Sequence, residues 1–105
     1  MISSHARAAT PHASKYLVQL SKHWSHRFPE LTYTPERADV PLPLGPCTLE
    51  ASADALDITV AAQSDADLAR LQQVVAEHLL RFAHRETLAI DWTGEGASTA
   101  TERSS

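Results

Sequence analysis

Two separate stretches with apolar residues three and four apart constrain the fold of this chain more than any other feature. Ala13, Leu17, Leu20, Trp24 and Phe28 form one stripe, and Leu68, Leu71, Val75, Leu79 and Phe82 form another. Each predicts an amphipathic helix that must bury one side. Thr10-Pro11 reads as the start of the first helix, because threonine can accept from free backbone amides and proline at the first helical position gives up no bond. Pro29 ends it. Ser64-Asp65-Ala66-Asp67 reads as the start of the second, a capping-box variant with Asp in place of Glu, and its acidic first turn suits the helix dipole.

Outside these stripes the apolar residues alternate. Residues 3–9 set His5 and Arg7 against Ala6 and Ala8, the pattern of a modest or edge strand. Four prolines, Pro35, Pro41, Pro43 and Pro46, confine any strand between residues 31 and 46 to a sheet edge or irregular ribbon, with a short strand expected at 38–42. A turn is expected at Gly45-Pro46. Cys47, Leu49 and Ala51 then alternate with polar neighbours, residues 52–55 turn, and Leu56, Ile58 and Val60 line the next strand, which makes a hairpin. Leu88, Ile90 and Trp92 predict a last strand ending at Gly94. The order β-α-β-β-β-α-β, with two helical stripes to bury, predicts an α+β two-layer sandwich with both helices on one face of a mainly antiparallel sheet.

The 105 residues suffice for one domain, expected at 1–94, able to bury roughly two thirds of its unfolded surface. Residues 95–105 are polar and small, and a disordered tail is expected there. A net charge of −4 with no basic block longer than two residues argues against nucleic acid. Apolar runs are too short for a membrane span or a signal peptide, and the single cysteine excludes an internal disulfide, so the cytoplasm is the expected location.

His23 and His26, three apart in Lys22-His23-Trp24-Ser25-His26-Arg27, project from one side of the first helix. His23 falls at the edge of the apolar stripe and His26 nearer solvent. His78 lies within the apolar face of the second helix, one turn before Phe82. If the helices are neighbours, His23 and His78 approach one another. A third metal ligand would have to be His26, His5 or Cys47, with a carboxylate such as Glu77 or Glu50 completing a harder site, and zinc or iron would be the metal. The alternative is that these are structural histidines bonded to backbone groups. Cys47 is a candidate nucleophile beside a histidine, although a cysteine in such a place is more often core filler. Arg81 and Arg85, four apart near the end of the second helix, could clamp an anion or simply suit the helix dipole. An enzyme has little else to support it: there is no Gly-x-Ser-x-Gly elbow and no phosphate-cradling glycine loop.

Residues 9–17, Leu20 through His23 and His26, Gly45-Pro46-Cys47, residues 78–83 and Trp92 together resemble an uncharacterised bacterial family, domain of unknown function 2218. The resemblance spans roughly residues 4–92. The matching positions are Thr10, Ser14, Tyr16, Leu20, His23, His26, Cys47, His78, Arg81 and Phe82. Ala55 departs from it at a turn position often filled by glycine, as does His84 at a position commonly apolar. The resemblance implies a small stand-alone bacterial domain, sometimes joined to or encoded near siderophore-interacting flavoproteins that release iron from ferric chelates. It implies no established activity. The leading expectation is therefore a small domain that binds a metal ion or acts beside an iron-chelate system, with such a flavoprotein as candidate partner. The alternative is a protein-interaction module or homodimer that docks through its exposed sheet face or Pro-rich edge.

Overall fold

The computed structural model describes residues 1–84 and 86–94. The expected tail at 95–105 lies outside the described residues. Strand β1 (Ile2–Ala9) leads into helix α1 (Ala13–Ser25). Four strands follow, β2 (Thr32–Tyr33), β3 (Arg37–Leu42), β4 (Gly45–Ala51) and β5 (Ala55–Ala62), then helix α2 (Asp65–Phe82) and strand β6 (Asp91–Gly94). The six strands form one sheet in the order β2-β3-β4-β5-β1-β6, and every neighbouring pair is antiparallel. No helix among the described residues is long and apolar enough to cross a membrane.

The alternation read from the sequence sorts the two faces of this sheet. Ala6 and Ala8 of β1, Ala38, Val40 and Leu42 of β3, Cys47 and Leu49 of β4, and Leu56, Ile58 and Val60 of β5 are all buried on one face. The register places them side by side, with Ala6 opposite Ile58, Leu49 opposite Ile58, and Val40 opposite Cys47. Leu17, Leu20 and Trp24 from α1 and Leu68, Leu71, Val75 and Leu79 from α2 close over that face. α1 packs on β3, β4 and β5, α2 on β5 and β1, and the helices touch each other along a seam. The opposite face is polar. There Asp57 accepts ion pairs from His5 at 3.2 Å and Arg7 at 3.3 Å, and Arg37 pairs with Asp39 and Glu50.

The hairpin of β4 and β5 and the serine cap of α2 follow the sequence reading. Ser64 Oγ accepts from the Asp67 amide at 3.2 Å. The start of α1 differs. Thr10 Oγ1 accepts the His12 N–H at 3.0 Å and so closes a turn over residues 11 and 12, and the helix begins at Ala13 rather than Pro11. The expected turn at Gly45-Pro46 also shifts, because the chain reverses at residues 43 and 44 while Gly45 and Pro46 already belong to β4. Pro41 and Pro46 are register partners, so the two missing donors sit together beside the hairpin end. Strand β2, two exposed residues long, is too short to leave a periodic signal.

One buried polar chain links three elements. Gln72 Nε2 of α2 donates to Ser4 Oγ of β1 at 2.9 Å, and that hydroxyl donates to the Thr93 carbonyl of β6 at 3.0 Å. Gln72 and Ser4 are almost wholly removed from solvent, so this pairing satisfies groups that would otherwise be costly to bury.

Gly45 carries the sharpest steric demand. Its φ is +158°, and a Cβ there would lie 1.8 Å from the carbonyl oxygen of Ala61 in β5. A backbone atom of a central strand cannot yield as a flexible side chain can. Gly45→Ala is therefore expected to destabilise the fold by about 2 kcal/mol or more, as checked by urea unfolding against the wild type. Equal stability would mean that β4 and β5 do not approach this closely.

Candidate functional site

The seam between the helices brings His23 and His78 together. His23 stands on the last turns of α1 between Leu20 and Trp24, which are buried, so its ring emerges at the rim of the core. His78 stands in α2 directly before buried Leu79 and is itself half-buried. Their ring centroids are 5.3 Å apart and inclined at 47°. Trp24 lies 5.4 Å from His78, and Phe82 meets His23 edge-on at 5.9 Å. These four rings seal the helix contact with the offset and edge geometries that aromatic quadrupoles favour.

His78 is oriented by its own helix. Its Nδ1 lies 2.7 Å from the Val74 carbonyl oxygen, and a carbonyl can only accept, so Nδ1 carries the proton. In the neutral ring that leaves a lone pair on Nε2, the arrangement by which proteins fix an imidazole for ligation or proton exchange.

Beside the pair lies a cavity of about 210 Å³. Trp24, Phe28, Leu42, Pro43, Leu44, Leu71 and Val74 supply its apolar walls, and His23, His78 and Arg27 supply its polar groups. The β3–β4 turn contributes one wall, so the position of that turn shapes the site. Arg27 lies 5.9 Å over the Phe28 ring.

The electrostatics of this site are one-sided. His23 is held below the ordinary imidazole value, first by loss of solvation and then by the positive fields of His78, Arg81, His26 and Arg27. Arg81 is exposed on α2, three residues beyond His78. Arg85, the other half of the expected anion clamp, lies outside the described residues.

The remaining candidate metal ligands do not join the pair. Among the described residues, no group of three His, Cys, Asp or Glu side chains is arranged to hold a metal ion. His26 is exposed at the C-cap of α1. Cys47 points into the core from β4 at 1% exposure, away from the His23 and His78 pair, and burial pushes its thiol up to about 12. His5 and Glu50 lie on the far face of the sheet, engaged with Asp57 and Arg37. Glu77 is exposed and accepts from Gln73 at 3.1 Å.

A second polar cluster marks the opposite end of the seam. Tyr16 O–H donates to the Glu86 carboxylate, and Thr10 Oγ1 donates to the same oxygen at 3.1 Å. Burial, then the hydrogen bond and charge of Glu86, push the Tyr16 phenol up to about 12. This clasp pins the segment after α2 over the start of α1. Nothing in the local sequence of Glu86 announces it, because its partners are 70 and 76 residues away along the chain. Ser14, also among the resembling positions, donates to the Pro35 carbonyl at 2.8 Å and ties α1 to the β2–β3 connection.

The chain belongs to the family described as an uncharacterized protein conserved in bacteria (DUF2218), whose family model matches residues 5–93. It is also similar to the NMR structure of PA4090 from Pseudomonas aeruginosa, with 36% sequence identity and a TM-score of 0.74. That similarity covers 89% of this chain and 96% of that one. No curated protein matches the chain.

Two outcomes are expected from the site's chemistry. Cys47 stays unmodified by a thiol reagent in the native protein and reacts fully once guanidinium unfolds the chain; fast native labelling would contradict its burial. The His23 imidazole is lowered on folding, so the unfolded chain binds more protons below its ordinary value of 6.5. Urea stability should therefore fall as pH drops from about 6.5 through the folded value of His23, with a shallower fall in His23→Gln. An identical pH profile in that variant would place the ring in ordinary solvent.

Proposed function

We propose that this member of the family is a small-molecule binding domain whose site is the cavity at the α1–α2 seam, with His23 and His78 as its polar anchors. The observation that carries this reading is the pairing of two imidazoles 5.3 Å apart beside a cavity whose other walls are mostly apolar. Ligand pockets commonly combine apolar walls with a few convergent polar groups in this way. At about 210 Å³ the cavity lies below the roughly 300–1,000 Å³ of drug-sized sites, so the occupant is a single ring or a short branched chain.

A second reading keeps the histidines as metal ligands, for zinc or iron. Its support is the ring spacing: two imidazoles on one tetrahedral zinc, with Zn–N bonds of about 2.0–2.1 Å, have centroids about 5 Å apart. The Nε2 lone pair of His78 suits that role as well. With two protein ligands, the rest of the coordination would come from a bound chelator. That arrangement would fit the iron chelates handled by the siderophore-interacting flavoproteins to which the resemblance points. The positive charges of Arg27 and Arg81 favour the first reading, because both oppose a bare divalent cation.

Untagged protein separates the two. In the first reading, purified wild type is metal-free by elemental mass spectrometry, ignores added zinc and ferrous iron, and shows Trp24 indole and His78 imidazole shifts on titration with single-ring fragments. Val74→Trp, which fills the cavity, should abolish those shifts while the fold persists. Stoichiometric metal, lost in both His23→Ala and His78→Ala, would instead establish the second reading.

A further inference from the structure

We infer that the cavity beside His23 and His78 takes an organic monocarboxylate. This rests on the small-molecule reading above and names its ligand class. The polar groups lining the cavity are two imidazoles and one guanidinium, and no carboxylate is among them. Arg27 forms no ion pair among the described residues, since the ion pairs there lie on the far face of the sheet. Outside the lining, His26 of α1 and Arg81 of α2 add positive fields at His23, while the β3–β4 turn contributes only Leu42, Pro43 and Leu44. Among the described residues, every charged or titratable group lining the cavity is basic. Such a site attracts an anion, and the planar guanidinium of Arg27 matches a carboxylate.

Arg27 and the His23 ring can each donate to that carboxylate. His78 has committed its Nδ1–H to the Val74 carbonyl, so in its neutral form it adds no donor there. The apolar walls from Trp24, Phe28, Leu44 and Leu71 take the body of the ligand, so a ring or branched chain is favoured over a dicarboxylate.

The test compares benzoate with its neutral isostere benzamide by NMR titration of the full chain at about pH 7.5. Benzoate should bind at the Trp24 and His78 resonances about tenfold more tightly than benzamide. Arg27→Gln should weaken benzoate alone. If both compounds bind with equal affinity, the carboxylate inference is overturned and the cavity remains a ligand site. If neither compound shifts those resonances, the small-molecule reading falls too.

Discussion

Only one face of the six-stranded sheet is apolar, and the rest of the architecture depends on that asymmetry. Both helices must cover the same face, since the other carries His5, Arg7, Arg37, Asp39, Glu50 and Asp57 in ion pairs with one another. Two helices on one sheet of this width lie side by side, and a seam between them is unavoidable. Residues at the borders of the two apolar stripes meet there. His23 and His78 are such border residues, and their contact follows from strand alternation and helix periodicity rather than from any local motif.

The two ends of the seam are built differently. At one end the Tyr16 and Thr10 hydroxyls clasp Glu86, a closed cluster in which each donor has its acceptor. At the other end the imidazoles, Trp24 and Phe82 pack beside a cavity lined, among the described residues, by basic polar groups and no carboxylate. A satisfied polar cluster holds a fold together, whereas basic groups gathered at an apolar cavity support the ligand site proposed there. This contrast within one interface is why the functional reading settles on the His23 end.

Much of the fold was legible because it rests on periodicity. The stripes of α1 and α2, the β4–β5 hairpin and the layer arrangement follow from spacings of two and of three to four. The pairing of His23 with His78 was legible too, as a consequence of placing the helices side by side. What was not legible depends on contacts between residues far apart in sequence. Thr10 reads locally as a helix cap but closes a turn, because its hydroxyl is shared with His12 and Glu86. Gly45 reads as a turn residue but is demanded by the Ala61 carbonyl. Gln72 has no local signal for its role, because it bonds Ser4, 68 residues away. Cys47 reads as ligand, nucleophile or filler from its neighbours alone, and strand parity turns it into the core.

The central claim is that the seam holds the His23 and His78 rings against each other, and an aromatic-selected NOE experiment on the native protein tests it most directly. With centroids 5.3 Å apart, and with Trp24 5.4 Å from His78, cross-peaks are expected between the two imidazoles and between the Trp24 indole and His78. A His23 ring with cross-peaks only to its own helix, and none to His78 or Phe82, would contradict the account and remove the site built on it.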